Sequence, residues 1–459
     1  VKNPILIPEI RDLLKNKKFS VLKSFIEDSH EKETAEFLSL LTPREIWKIL
    51  TLTDINRRAE IFSYFDMDVQ VLLVTGAMKK HISGLLENMS SDDRADLFQH
   101  LDREIAGRLL VMLPVTERAD VIKMTSYEDG TVGAIMTSDF AVLNENDTVR
   151  NSTKKIRDES PAKETIYYIY VTDNSERLIG FVSLRKLIVS KPGLRVRDIM
   201  KKDIVFARTT DDQERAARLI DEYDLIALPI IDERDALVGI LTYDDAIDIL
   251  KEEQTEDLEK LMAISGGVEE KSYLDVHAFT HFKKRAFWVI TLGIFGLLTG
   301  LVIQGFQQTL ESLIILTFYM PLLTATGGNT GSQSATVVMR SLTLRELLPG
   351  DWGKVVKKEF LISFLLALCL ALVVFARVFL LSDQSRIPEA FDITRIAVVI
   401  AVSLAVQVVV STILGAIVPM AATKLKIDPA LISSPLLATV VDMSGVLIYF
   451  TTAKLILGI

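Results

Sequence analysis

The chain is poor in the residues that carry redox and soft-metal chemistry. Cys369 is its single cysteine, which excludes an intrachain disulfide and a cysteine-based zinc site. Its five histidines, His30, His81, His100, His277 and His281, are scattered and show no HExxH spacing. His277 and His281 stand four apart, so a helix through both would put them on one face. A two-histidine metal pair and a polar juxtamembrane face are the two readings of that spacing. The first 30 residues hold no apolar run, so no secretory leader is expected in them. Basic charge is also short in the front of the chain. Residues 283–459 hold 14 Lys+Arg and 9 Asp+Glu; of the 52 and 61 in the whole chain, 38 and 52 remain for residues 1–282. That region is net −14, which argues against nucleic acid as a partner, since such a surface must be basic. An acidic region suits cations instead.

What is present divides sharply. At 459 residues the chain is long enough for about three domains. Its back part is apolar. Charge-free runs occupy 286–310, 312–339, 360–376 (apolar onward to Leu381) and 396–423, and 434–457 is apolar apart from Asp442 and Lys454. A bilayer crossing takes roughly 20 apolar residues, so five transmembrane helices are expected. Lys283, Lys284 and Arg285 precede the first run, and Arg345, Lys354, Lys357 and Lys358 lie after the second. By the positive-inside rule these put the front half in the cytoplasm and, with five spans, the C-terminus outside. Arg377, Arg386 and Arg395 in the third loop run against that assignment.

Asp442 is the only acid deep inside these runs. An ionised carboxylate there is costly and needs a partner or a wet cavity. Arg377 and Lys454, near span ends, are the candidate partners; a cation path is the alternative. The stretch TATGGNTGSQSAT (324–336) is small and polar. Its glycines allow close helix packing or a helix break, and a break is tolerated only in protein or along a water path. One carboxylate among backbone and amide oxygens is hard-cation chemistry, of the kind Mg2+ takes.

The acidic half reads as two regions. Residues 1–132 read as short helices: Thr42-Pro43-Arg44-Glu45 is a capping box with proline at the first helical position, and similar starts occur at Ser91 and near Pro114. Asp92, Asp93 and Asp96, taken alone, read as a solvated face. From about 135 to 250 there is an internal repeat. Ile135-Met136 recurs as Ile199-Met200, Asp173 as Asp232 and Gly180 as Gly239. Each unit reads strand, turn, strand, helix. Here the chain resembles a pair of CBS domains, at 133–197 and 198–250. The resemblance implies an adenine nucleotide held by a G-h-x-[ST]-x-x-[DN] stretch. GILTYDD (239–245) fits it through Thr242 and Asp245, whereas the first repeat has Ser183 but Lys186 in place of the acid. Both stretches read equally as plain strand-to-helix turns. A strongly acidic helix follows from about 244 to 263, running from the end of the second repeat into a connecting segment 251–282. Like charges at helical spacing repel, which suggests an element held by cations and released without them.

Taken together, the chain resembles the MgtE family of magnesium channels over its whole length. The motifs that carry this are ETIYYIYV (164–171), FYMPLLTATGGNTGSQSAT (318–336) and DPALISSPLLATVVDMSGVLIY (428–449). The resemblance implies an α-helical N domain, α/β tandem CBS repeats and an all-α polytopic membrane domain at 283–459. It implies a homodimer in the cell membrane, in contact with lipid, with a pore on its two-fold axis. Hydrated Mg2+ would be held there by Asp442, the Ala438 carbonyl, Gly328 and Asn329, with Asp428 at the cytoplasmic mouth. Mn2+ and Co2+ stay open as permeant ions. Cytosolic Mg2+ that closes the channel is implied at Glu60, Asp92 and Asp96. Further positions are Ala134 (carbonyl), Asp212, Asp221 (carbonyl) and Asp224, then Asp245, Asp248, Glu253, Glu256 and Asp257. ATP, not hydrolysed, would tune that closure, so Asp245 is wanted by both a cation and a ribose. Ser332 and Ser434 stand where relatives often have Asn, and Asp221 where they have a small residue.

Other classes are weaker on the residues. An intramembrane aspartyl protease needs two carboxylates sharing a proton, and one chain supplies only Asp442. A coupled transporter can draw on further protonatable groups within the spans, and none stands out. A membrane-anchored CBS sensor leaves Asp442 and the glycine-rich stretch without a role. No enzyme activity is expected.

Overall fold

The computed structural model describes residues 7–76, 79–160, 163–266, 273–274, 276–343, 346–348, 350–382, 387, 391–425, 428 and 434–458. Its contacts divide the chain into two units, Val1–Glu253 and Gln254–Ile459.

The first unit opens with short helices: α1 (Ile7–Lys15), α2 (Phe19–Asp28), α3 (Glu31–Leu38), α4 (Pro43–Leu50), α5 (Ile55–Ser63), α6 (Met67–Gly76), α7 (Lys79–Glu87), α8 (Ser91–Gln99), α9 (Arg103–Leu110) and α10 (Val115–Met124). The sequence-level starts hold. Thr42 and Glu45 cap α4 reciprocally, with the Thr42 amide donating to Glu45 Oε2 at 2.9 Å and the Glu45 amide to Thr42 Oγ1 at 3.4 Å. Asp54 caps α5 through its side chain, which accepts from the Asn56 and Arg57 amides. Each helix is too short to stand alone; their inner faces share one core from Ile10 to Val121.

Two repeats follow. The first is α11 (Val132–Ile135), β1 (Phe140–Asn144), α12 (Val149–Glu159), β2 (Thr165–Thr172), β3 (Leu178–Ser183) and α13 (Leu184–Val189). The second is α14 (Val196–Ile199), β4 (Ala207–Arg208), α15 (Gln213–Glu222), β5 (Ala227–Ile231), β6 (Leu237–Thr242) and α16 (Tyr243–Leu261). Each forms a three-stranded sheet, parallel then antiparallel, in orders β1-β2-β3 and β4-β5-β6. The sequence reading missed the first strand and first helix of each unit.

The recurring Ile-Met and Gly pairs turn out to be one device. Val132 and Met136, leading into the first repeat, belong to the core of the second. Val196, Ile199 and Met200, leading into the second, pack in the core of the first. A Cβ on Gly239 would lie 2.5 Å from Met136 Sδ, and one on Gly180 would lie 2.8 Å from Met200 Sδ. The glycines make room for the exchanged methionines, so the divisions 133–197 and 198–250 cut the chain but not the cores.

The second unit is helical: α17 (Ala278–Gly305), α18 (Gln307–Ser312), α19 (Ile315–Thr343), α20 (Trp352–Leu381), α21 (Ile393–Lys424) and α22 (Ser434–Leu457). Four of these, α17, α20, α21 and α22, are long and apolar enough to cross a bilayer. The fifth expected span, α19, has 29 residues and carries the polar stretch. It is one continuous helix, so the helix-break reading of 324–336 is corrected. A continuous helix satisfies its own backbone groups at membrane depth. The glycines serve close packing instead: a Cβ on Gly415 of α21 would lie 2.2 Å from the Gly331 carbonyl oxygen. α21 is the central helix, packed against α19, α20 and α22.

Candidate functional site

Two groups of residues stand out, one in each unit. In the second unit, α19 and α22 bring Gly328, Ala438 and Asp442 together. A Cβ on Gly328 would lie 3.8 Å from Ala438 Cβ and 4.0 Å from Asp442 Oδ1. Asp442 is half-buried, with no hydrogen bond or ion pair found among the described residues. Neither Arg377 nor Lys454 neutralises it. Asn329 is one residue further along α19 and exposed. Thr330 and Ser411 share a hydrogen bond of 2.7 Å beside this place. Ser332 lies on α19, and the side chain of Ser434 lies outside the described residues.

Asp428 is held elsewhere in this unit. Its Oδ2 accepts from Lys260 Nζ at 3.1 Å, and the same ammonium is 3.0 Å from Glu256 Oε1. Asp257 is the neighbour of Glu256 on α16. Two polar residues escaped the sequence reading. Glu359 directly precedes the charge-free run that starts at 360, but α20 begins at Trp352 and takes it into an apolar helix. It is buried, and Ser334 Oγ donates to its Oε2 at 2.8 Å. Asp442 is therefore not alone among the apolar helices. Gln407 is fully buried on α21, and its Nε2 donates to the Val441 carbonyl at 2.9 Å. The histidine pair is not a helical pair, because His277 caps α17, its Nδ1 accepting from the Phe279 amide.

In the first unit, α8 docks on the segment after α11. The Ser91 amide donates to Asp139 Oδ2 at 3.1 Å, and Ser91 Oγ lies 2.9 Å from Thr137 Oγ1. This brings Asp92 and Asp93 toward Glu164, Asp244 and Asp245, all of which feel one another's charge. Burial, then Asp93, Asp245 and Glu164, hold the Asp92 carboxyl well above the usual carboxylate range. Asp92 Oδ1 is buried with no partner among the described residues. Burial and the neighbouring Asp244, Asp245, Asp139 and Asp93 push Glu164 up to about 7. Burial raises Asp245 to about 6, against a lowering hydrogen bond from Thr242; Asp244, Asp93 and Asp248 add to the rise. Carboxylates gathered with so little positive charge are poised for a cation. No group of three or more Asp, Glu, His or Cys among the described residues has already closed to metal-holding distance.

The remaining predicted positions are spread around this unit. Glu60 is on α5, and Asp96 is on α8, exposed. Ala134 lies on α11, which packs on α15 after Asp212, the Val132 amide donating to the Asp211 carbonyl at 2.9 Å. Asp212 caps α15, Asp221 lies on that helix, and Asp224 follows it at φ +50°. Asp248 pairs with Lys251 at 2.7 Å, and Glu253 Oε1 accepts from Gln213 Nε2 at 3.1 Å. Thr242 is buried and donates to Asp245, inside the acidic group. A cleft lies in the first repeat. It is a cavity of about 510 Å3 lined by Tyr168, Phe181, Ser183, Arg185, Lys186 and Lys201. Three cations and two aromatic rings suit an anionic, planar ligand.

Comparison with known proteins decides the family. Residues 29–130 match the MgtE intracellular N domain, 132–191 and 196–252 match CBS domains, and 320–452 match the MgtE divalent cation transporter domain. The magnesium transporter MgtE of Thermus thermophilus is 35% identical over 455 residues, 98% of each chain. The chain belongs to the MgtE family of magnesium transporters. The MgtE of Bacillus subtilis is 29% identical over 98% of this chain and 96% of its own. A crystal structure of the cytosolic domain of the Mg2+ channel MgtE in complex with ATP superposes with a TM-score of 0.50. It is 34% identical and covers 52% of this chain and 98% of that one. The soluble part of a magnesium transporter matches at a TM-score of 0.51 and 29% identity, over 54% and 97%. The N domain, the CBS pair and the apolar helices of this chain are thus those of an MgtE protein.

Proposed function

We propose that this MgtE-family chain is a homodimeric, Mg2+-selective channel closed by cytosolic Mg2+. The observation that carries the reading is Asp442, an unpaired carboxylate facing Gly328 and Ala438 between apolar helices. An ionised acid at that depth needs a partner or a wet cavity, and no partner is found among the described residues. Two copies at a dimer axis would give two carboxylates to a hydrated ion, with the Ala438 carbonyl and Asn329 as further oxygen donors and Asp428 at the mouth. Mg2+ keeps several waters and takes few carboxylates, which this sparse donor set fits. The C-terminus would be external.

Closure would rest on the cytosolic carboxylates. Asp92, Asp245 and Asp248, with Glu60, Asp96 and the α16 acid Glu253, are costly to gather without positive charge; Glu256 and Asp257, further along α16, would take part in closure as well. A second group is formed by Ala134, Asp212, Asp221 and Asp224. Glu164, Asp93 and Asp244 join the first group. Bound Mg2+ supplies the charge that lets them stay together. ATP would bind in the first-repeat cavity rather than at Thr242 and Asp245, where phosphates would meet carboxylates.

The test is current from inside-out patches of the reconstituted protein as cytosolic Mg2+ is raised from zero to millimolar levels. Current that closes reversibly with Mg2+, and that Asp442→Asn removes, is the expected result. Wild-type current in Asp442→Asn sinks the pore assignment. Buried Glu359 favours one second reading, proton-coupled transport. Flux that collapses with the proton gradient but not with voltage would select it.

A further inference from the structure

We infer that Gln407 is a positioning residue for the pore carboxylate: its amide, seated between Gly327 and Gly445, fixes where Asp442 stands against Gly328. The inference rests on the pore reading above. Gln407 is fully buried on α21 and reaches both helices that carry the site. Its Nε2 donates to the carbonyl of Val441, the residue before Asp442, at 2.9 Å. A Cβ on Gly327 would lie 2.5 Å from Nε2, and one on Gly445 would lie 2.7 Å from it. Gly327 in turn precedes Gly328, whose own Cβ direction meets Asp442 Oδ1 at 4.0 Å. One amide therefore touches the chain next to each member of the facing pair.

Packing alone does not account for an amide at this place. Gln407 Oε1 is buried and has no partner among the described residues. An unpaired buried acceptor is unfavourable, and an apolar side chain of equal length would remove it. What such a side chain lacks is the donor to Val441. That hydrogen bond opposes rotation of α22 about its axis and sliding along α19, both of which carry Asp442 away from Gly328. Mg2+ keeps its waters in a near-ideal octahedron of fixed size for the carboxylate to meet, whereas Ca2+ accepts six to eight oxygens in loose arrangements. Loosening the carboxylate therefore penalises Mg2+ more than Ca2+.

The experiment uses full-length protein in liposomes with ion-sensitive dyes, measuring Mg2+ and Ca2+ influx for wild type, Gln407→Met, Gly445→Ala and Asp442→Asn. Gln407→Met keeps the volume and removes the donor; Gly445→Ala displaces the amide. For both we expect an unchanged maximal Mg2+ rate, a half-saturation raised about tenfold, and a Mg2+-over-Ca2+ preference lowered by a similar factor. Wild-type half-saturation and preference in folded Gln407→Met overturn the inference. Should that variant not fold, Gln407→Asn, whose amide is withdrawn by one methylene, takes its place, and wild-type values in it overturn the inference equally. Wild-type flux in Asp442→Asn overturns the pore reading itself, and so separates the two failures.

Discussion

Replacing Asp245 by Asn should stabilise the protein in the absence of divalent ions while weakening its response to Mg2+. Burial and nearby acids raise Asp245 from 3.8 to about 6. The sign follows from proton linkage. Between pH 4 and 6 the folded state holds a proton that the unfolded state has released. Stability is therefore greatest below the unfolded value and is lost as pH rises through the folded one. By pH 8 the ionised carboxylate costs about 3 kcal/mol, reduced toward about 2 kcal/mol by residual solvation. Asn keeps an oxygen for the Thr242 hydroxyl and carries no charge. In a domain of this size the gain is roughly 5 °C in melting temperature. Trp47, whose Nε1 donates to the Leu73 carbonyl at 3.1 Å, reports the first unit. With Trp288 and Trp352 replaced by Phe, its fluorescence can be followed in EDTA at pH 5 and pH 8. Wild type should melt lower at pH 8 than at pH 5, and the variant should show a smaller difference. Added Mg2+ should raise wild type more than the variant. Equal melting of the two proteins at pH 8 in EDTA refutes the electrostatic argument.

Three further outcomes follow from the geometry. Lys186→Glu with Lys201→Glu should weaken ATP binding at least about tenfold, whereas Thr242→Ala should leave it near wild type; calorimetric titration of the full chain decides between the two placements. Gly415→Ala sets a methyl against the Gly331 carbonyl and should cost about 3 kcal/mol or more, seen as a lower melting temperature and loss of the folded peak in size-exclusion chromatography. Lys260→Met removes the ammonium shared by Glu256 and Asp428, so closure should need severalfold more cytosolic Mg2+ in patch recordings. An unchanged inhibition curve would show that this pair has no part in closure.

How much of this was legible depended on whether the signal was local. The α4 capping box and the strands β2, β3, β5 and β6 were readable because their determinants lie within a few residues. β1 and α12 were not: Phe140–Asn144 is short, and its partner β2 lies beyond an intervening helix. β4 has only two residues. The repeat itself was visible, but the purpose of Gly180 and Gly239 was not, since the methionines that need the space come from the opposite repeat. The glycines of α19 suggested a break because local propensity disfavours them in a helix; the apolar surroundings override that preference. Asp442 was conspicuous as an acid in a charge-free run. Gln407 was one uncharged polar residue in a similar run, and nothing local marked it. Glu164 meets Asp92 only through the fold, and its sequence neighbours read as an ordinary strand.

The exchange of lead-in segments between the two repeats has a consequence for synthesis. As the chain leaves the ribosome, the first repeat lacks part of its core until Val196–Met200 has emerged. Val132 and Met136 wait longer, because the sheet that receives them ends at Thr242. For about a hundred residues of translation that apolar hook has no socket, and partly made domains of this kind are prone to aggregate. A pause or truncation between the repeats should therefore deliver the nascent chain to chaperones, whereas one placed at the end of α16, once Ala246 and Ile249 have closed the same core, should release a soluble fragment.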